Sequence, residues 1–180
     1  MSEHQISLTV DGERETLTVE GRTLLVHALR EDLGVTAPKV GCETSKCGAC
    51  TVELDGDVVK ACTVLAVQAD GKTVRTAASD TEDDVRSVVT QQFHEQHGLQ
   101  CGYCTPGMVL TAADLLRENP DPTPSEIRAS LKGNICRCTG YTNIVRAVES
   151  AASELEGTAA VAGDGGKTAA VDGSAPEGDD

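Results

Sequence analysis

The sequence predicts an α+β fold in two parts, a small α+β domain over residues 1–78 and an all-helical bundle over residues 79–156. Apolar–polar alternation with Asp-Gly turn signals dominates the first part, and apolar residues at helical spacing dominate the second. Eight cysteines divide four and four between the two parts. With one Phe, two Tyr and no Trp, both cores must be aliphatic. Small domains without aromatic anchors often need a metal or disulfides for stability, and the cysteines could supply either.

The first part is predicted to consist of strands around a single helix. Alternating apolar residues predict a β-hairpin over residues 5–19. Leucine and alanine at helical spacing then predict a helix over residues 24–33, which a glycine ends. A second hairpin is predicted over residues 50–62, and residues 63–67 and 73–76 are predicted as further strands. Strands, one crossing helix and more strands are typical of an α+β unit.

The second part carries four apolar stripes at helical spacing. They predict helices over residues 85–98, 108–119, 123–133 and 144–155. Thr123 and Glu126 fit a capping box with a proline at the first helical position. Thr105 is predicted to cap the helix before it, with Pro106 in the first turn. Four short amphipathic helices predict a small bundle.

The charge and the chain ends exclude several classes of protein. With 29 acidic against 15 basic residues, the formal net charge of −14 argues against a nucleic-acid partner. No window approaches the roughly 18 consecutive apolar residues of a membrane span, and no signal peptide is visible. We therefore expect a cytoplasmic protein, where clustered cysteines bind metal more often than they form disulfides. Residues 79–84 are predicted as a linker, and residues 157–180 as a disordered acidic tail.

The first cysteine quartet has the spacing C-x4-C-x2-C-x11-C. Its members are Cys42, Cys47, Cys50 and Cys62. C-x4-C-x2-C is the plant-type ferredoxin arrangement for a [2Fe–2S] cluster. Gly41 and Gly48 would let the loop approach the cluster closely and point backbone N–H groups at its sulfurs. Cys62 is expected to come from the strand after the second hairpin turn.

The second quartet has the spacing C-x2-C-x31-C-x-C. Its members are Cys101, Cys104, Cys136 and Cys138. The last two are too close together to enclose a metal alone, so two separate loops must converge. Each loop precedes a predicted helix, so both can meet at one end of the bundle, where helix N-termini would favour the negative charge of an iron–thiolate cluster.

Other uses of the cysteines stay open at this point. Structural zinc also accepts four cysteines, and disulfides would need an oxidising compartment. A Rieske centre needs two histidines, and no histidine lies in a cysteine loop. The four histidines are His4, His27, His94 and His97. We interpret them as packed or exposed side chains.

Three stretches together resemble the small iron–sulfur subunit of the molybdenum hydroxylases, the family of xanthine dehydrogenase, aldehyde oxidase and CO dehydrogenase. They are Val40–Val52, Gln100–Met108 and Gly133–Tyr141, and the similarity extends over about residues 5 to 155. The resemblance implies a β-grasp, ferredoxin-like domain followed by a four-helix bundle. It also implies that each quartet holds one [2Fe–2S] cluster.

The resemblance further implies an oxidoreductase complex in which this chain transfers electrons and has no catalytic residue of its own. A large subunit would hold a molybdenum–pterin cofactor, and a medium subunit would hold FAD. Gln100 and Cys138 would contact the pterin by position. The substrate stays open among CO, aldehydes, purines and other heterocycles. A zinc-stabilised adaptor and a freestanding ferredoxin are the alternatives.

Overall fold

The computed structural model describes residues 2–79 and 84–163. Most of the predicted linker over residues 79–84, and the predicted tail beyond residue 163, lie outside these ranges. Within them, no helix combines the length and the apolar character that crossing a membrane requires.

A mixed five-stranded sheet forms the N-terminal domain, with the strand order β2-β1-β5-β3-β4. The strands are β1 Glu3–Val10, β2 Glu13–Glu20, β3 Thr51–Leu54, β4 Asp57–Lys60 and β5 Thr73–Arg75. β1 runs parallel to β5 and every other neighbouring pair is antiparallel. The predicted alternation is confirmed, since Ile6, Leu8 and Val10 are all buried. This is the predicted β-grasp arrangement.

One helix crosses the sheet. It starts as α1, Leu25–His27, and continues as a wider π-helical turn over Ala28–Asp32. Leu25, Val26 and Leu29 are fully buried between this helix and the sheet. Each such side chain stabilises the fold by about 1.5–3 kcal/mol. The predicted helix over residues 24–33 is therefore confirmed, with a looser final turn.

The strand predicted over residues 63–67 is wrong. Two 3-10 turns, Ala61–Thr63 and Ala66–Ala69, occupy this region, joined to the helix by a single bridge between Leu24 and Leu65. Alanines 61, 66 and 69 are fully buried, and their small side chains let the turns pack closely under the crossing helix. Cys62 accordingly lies on a turn, not on the predicted strand.

Four helices form the second domain and confirm the predicted bundle. They are α2 Asp84–Glu95, α3 Thr105–Glu118, α4 Pro124–Ser130 and α5 Thr142–Gly163. Fully buried side chains from all four form its core: Val89, Phe93, Met108, Ile127, Ile144 and Val148. α5 continues beyond the predicted end at residue 155 and runs through Gly163.

The two predicted helix caps have opposite outcomes. The capping box of α4 is confirmed, because the Thr123 hydroxyl accepts from the Glu126 N–H and the Thr123 N–H donates to the Glu126 carboxylate. Thr105 does not cap α3. It is the first helical residue, and Cys104 takes the capping position without a side-chain bond. The turn into the helix begins at Gly102, whose φ is +78°.

The two domains pack directly against each other along α3. Arg117 on α3 donates to the buried Glu53 carboxylate on β3 at 2.8 Å. In the first turn of α3, Gly107 lies against the backbone of Gly48, which belongs to the first cysteine loop. The first turn of the bundle helix therefore lies directly beside the loop that carries the first quartet.

Candidate metal centres

Three members of the first quartet lie in a loop that wraps around one of its own sulfurs, and Cys62 lies on the turn Ala61–Thr63. Cys42 and Cys47 are half-buried, whereas Cys50 and Cys62 are buried. The N–H groups of Thr44 and Cys47 both point at the Cys42 Sγ, at 3.4 Å. Left-handed backbone at Glu43, Ser45 and Gly48 makes this wrapping possible.

Two thiols of the first quartet, those of Cys42 and Cys50, differ in how readily they ionise. Hydrogen bonds from Thr44, through its side chain and its backbone, with further backbone bonds from Cys47 and Lys46, lower the pKa of Cys42 to about 6. Burial raises the pKa of Cys50 to about 12, next to Cys62. The Cys42 thiol therefore ionises to a thiolate more readily than an ordinary cysteine. Cys50 would ionise only beside a positive charge such as a metal.

The second quartet forms where two loops meet at the end of the bundle, as predicted. The Sγ atoms of Cys101 and Cys138 lie 3.5 Å apart at the surface, and Cys104 lies next to the buried Cys136 beneath them. All four thiols line a cavity of about 150 Å³, together with Cys47 of the first loop. Burial raises the pKa of Cys104 to about 12, whereas the Tyr103 N–H lowers that of Cys101.

The thiols of the second quartet form two pairs, Cys101 with Cys138 and Cys104 with Cys136. In the first quartet Cys50 interacts with Cys62, and the Cys47 N–H donates to the Cys42 Sγ. A [2Fe–2S] cluster takes two thiolates on each of two irons, so four cysteines in each group fit it, and those of the second quartet already approach two by two. Within residues 2–79 and 84–163, no three His, Cys, Asp or Glu side chains are grouped as ligands of one ion.

Two iron–sulfur family models match the chain in succession. The 2Fe-2S iron-sulfur cluster binding domain matches residues 8–77, and the [2Fe-2S] binding domain matches residues 73–149. The small FeS subunit of nicotinate dehydrogenase from Eubacterium barkeri is 48% identical over 84% of this chain and 96% of that protein. The chain belongs to the small iron–sulfur subunits of the molybdenum hydroxylases.

Two further relatives agree with this assignment. Caffeine dehydrogenase subunit gamma from Pseudomonas sp. (strain CBB1) is 45% identical over 87% of this chain and 95% of its own length. The solved structure of quinoline 2-oxidoreductase from Pseudomonas putida 86 superposes with a TM-score of 0.79 at 40% identity, over 86% of this chain and 96% of the matched chain. This iron–sulfur subunit therefore has two [2Fe–2S]-binding domains and the fold of its family.

The two residues expected to contact a pterin lie at the surface of the subunit. Gln100 is exposed and directly precedes the exposed Cys101, and Cys138 is exposed beside it. The structure therefore brings both residues to one surface, next to the second quartet. Their contact with a pterin stays a prediction.

Sequence reasoning missed the residues that hold the second quartet in place. The Tyr141 hydroxyl accepts the Cys136 N–H at 2.8 Å, and the Thr139 hydroxyl lies 3.2 Å from the Cys136 Sγ. The short Thr-Gly-Tyr run directly after Cys138 was available as a signal. The backbone of this run is left-handed at Tyr141, with φ of +68°, and the Tyr141 hydroxyl lies beside Cys136.

The two sites of the subunit meet through the backbone. The Ile135 N–H donates to the Cys47 carbonyl at 2.8 Å, which joins the residue before Cys136 to a member of the first quartet. The Tyr103 hydroxyl donates to the Val40 carbonyl at 2.8 Å on the same side. Sequence spacing gave no sign of this junction, because 88 residues separate the bonded groups Cys47 and Ile135 in the chain.

His27, which the sequence predicted to be no ligand, connects the crossing helix to the first cysteine loop. Its imidazole hydrogen-bonds Glu31 through Nδ1 and Glu43, next to Cys42, through Nε2. The bond to Glu31 raises the pKa of His27 above its ordinary 6.5 against the effect of partial burial, and the bond to Glu43 raises it further.

We expect His27→Gln to lower the melting temperature more at about pH 6 than at about pH 8.5. A raised folded-state pKa gives stability that is fully present below the unfolded value and is lost as pH rises through the folded value. Thermal unfolding across this range measures the difference from the wild type. His4→Gln is the control, because His4 bonds only Ser2 among the described residues. A His27→Gln difference that does not change with pH would contradict the role of the charged imidazole.

Proposed function

We propose that this subunit carries electrons between a molybdenum–pterin centre on a large partner and FAD on a medium partner. Its eight cysteines would hold two [2Fe–2S] clusters: Cys42, Cys47, Cys50 and Cys62 the first, and Cys101, Cys104, Cys136 and Cys138 the second. When bound, such a cluster accepts one electron and passes it on. The observation that carries the proposal is the hydrogen bond from Ile135 to Cys47, because it connects the two ligand sets directly.

The connection between the sites is short and rigid. From Cys136 the path runs through the backbone of Ile135 to the Ile135 N–H, and then across a 2.8 Å hydrogen bond to the Cys47 carbonyl. Cys47 is itself a proposed ligand of the first cluster. Cys136 is fixed on the other side by Tyr141. Electron tunnelling weakens steeply with distance and is weaker through space than through bonds, so a hydrogen bond from the neighbour of one ligand, Ile135, to a ligand of the other site, Cys47, favours transfer.

The exposed end of the second quartet would face the molybdenum subunit. Cys101 and Cys138 are exposed there, with Gln100 beside them. Tyr103 and Ile135 lie along the same surface and are 48% and 52% exposed. Among the described residues, they are the exposed large hydrophobic side chains. Exposed apolar side chains around a functional group are typical of a protein interface.

The opposite end of the path would face the electron acceptor. Residues 43–46 of the first cysteine loop are exposed, and they cover the half-buried Cys42 and Cys47. An FAD-binding subunit docked on this loop would be close to the first cluster. Catalysis, including the oxygen transfer, would lie on the molybdenum subunit, and the cytoplasmic location inferred from the sequence stays a prediction.

We further propose a nitrogen heteroaromatic compound as the substrate of the complex. By their names, the relatives from Eubacterium and Pseudomonas act on nicotinate and caffeine, and the superposed structure is a quinoline 2-oxidoreductase. All three compounds are nitrogen heteroaromatics. Aldehyde oxidoreductases are also similar, at 37% to 40% identity, so aldehydes are the necessary comparison.

Purifying the complex from its native source tests the proposal. We expect molybdenum and flavin to copurify with this chain. We also expect anaerobic addition of a nitrogen heteroaromatic, purines included, to bleach the visible iron–sulfur absorbance, in a panel that also contains CO and aldehydes. A red-brown chain that purifies without molybdenum would indicate a freestanding ferredoxin, and a colourless chain with zinc would indicate a structural adaptor. Bleaching by aldehydes alone would contradict the substrate class only.

A further inference from the structure

We propose that Asn134 is the positioning residue that fixes the electron path between the two metal sites. The inference rests on the proposed function, because it assigns a role within electron transfer. Asn134 belongs to neither quartet and is not a ligand. Its side chain hydrogen-bonds the first cysteine loop at Gly48. The next residue along the chain, Ile135, makes the hydrogen bond between the sites.

The amide of Asn134 is bonded at both ends. Nδ2 donates to the Gly48 carbonyl at 3.3 Å, and the Thr111 hydroxyl lies 3.2 Å from Oδ1. Gly48 and Cys47 are consecutive. Asn134 and Ile135, also consecutive, therefore hold two adjacent carbonyls of the first loop, one through a side chain and one through the backbone.

Burial makes this contact specific to asparagine. Asn134 is 4% exposed, and a buried amide without partners would be costly, so its two bonds strongly constrain its position. The two segments lie too close for a side chain at position 48: a Cβ on Gly48 would come within 2.5 Å of the Gly133 carbonyl and 2.7 Å of the Asn134 Nδ2. Glycine at position 48 and asparagine at position 134 thus form a matched contact between the domains.

The backbone of Asn134 also connects to the second quartet. Its carbonyl accepts the Tyr141 hydroxyl at 3.3 Å, and the oxygen of that hydroxyl accepts the Cys136 N–H. The segment from Asn134 to Cys136 is therefore held on three sides, by the first loop, by α3 through Thr111 and by Tyr141. Loss of the Asn134 donor would loosen the side that sets the distance between the sites.

The variant Asn134→Asp tests this role in the intact complex. Aspartate has the shape of asparagine and keeps an acceptor for Thr111, but it cannot donate to the Gly48 carbonyl and repels it. We expect iron content to stay normal and the magnetic interaction between the two reduced clusters to weaken in EPR spectra. We also expect electron transfer between the clusters, measured by rapid-freeze EPR, to slow. Asn143→Asp is the matched control, because among the described residues this half-buried amide donates only to the His97 carbonyl.

Each outcome decides the inference. An interaction and a transfer rate equal to those of the wild type, with both clusters present, would overturn it. If Asn134→Asp fails to assemble its clusters, Thr111→Val is the second variant, because it removes the hydrogen bond that holds the Asn134 Oδ1. The same two measurements apply to it, and wild-type values of both would overturn the inference. A wild-type complex without iron–sulfur EPR signals would contradict the proposed function itself, which is a different failure.

Discussion

Replacing Cys138 with serine is expected to abolish the second cluster and to stop electrons from leaving the molybdenum subunit. In Cys42→Ser, by contrast, we expect the second cluster to assemble and to accept those electrons. Cys138 is exposed and paired with Cys101 at the surface proposed to face the pterin. Cys42 lies in the other domain, where backbone N–H groups surround its sulfur. Anaerobic reduction of each complex by substrate, followed by EPR, measures which cluster is reduced.

The two serine variants control for each other. In Cys42→Ser we expect normal molybdenum content, a second cluster that substrate still reduces, and loss of reduction of the flavin. In Cys138→Ser we expect that substrate reduces neither the second nor the first cluster, although the first cluster still assembles. Equal loss of every cofactor in both variants would indicate misfolding and would remove the evidence for separate roles.

Replacing Gly107 with alanine is expected to destabilise the protein by straining the contact between the two domains. A Cβ at this position would lie 2.1 Å from the Gly48 carbonyl oxygen and 3.3 Å from the Asn134 Nδ2. Alanine gains about 1 kcal/mol of helix propensity over glycine, but overpacking against a rigid backbone typically costs about 1–3 kcal/mol. Because the clash is with backbone, which cannot rotate away, we expect net destabilisation, measured as a lower denaturation midpoint.

Gly157→Ala is the matched control for this change. Gly157 also lies within a helix, α5, and a Cβ there would meet no atom within 4 Å. The same substitution should therefore raise stability slightly, by about 0.5–1 kcal/mol. If Gly107→Ala were as stable as Gly157→Ala, with an unchanged magnetic interaction between the clusters, the close contact of Gly107 with Gly48 would not hold the domains together.

Local patterns in the sequence predicted most elements, because their causes are local. Alternation placed Ile6, Leu8 and Val10 in the core, and the capping box predicted the start of α4 at Pro124. The predicted strand over residues 63–67 failed because a tertiary contact decided that region. Its apolar residues are satisfied by packing under the crossing helix and not by pairing with a strand.

The candidate sites divide in the same way. Cysteine spacing was enough to group the thiols into two quartets, which the structure brings together. The contacts of Asn134 and Ile135 with the first loop, in contrast, depend on how the two domains pack. No pattern within one segment reports on a contact between segments that lie more than 80 residues apart in sequence.

The content of iron and acid-labile sulfide in this chain tests the central claim most directly. The account predicts about four irons and four sulfides per chain, in two [2Fe–2S] clusters, with two distinct EPR signals on reduction. Cys42→Ser should remove one signal and Cys138→Ser the other. A chain that contains zinc and no labile sulfide, or a single EPR signal that both variants abolish, would contradict it.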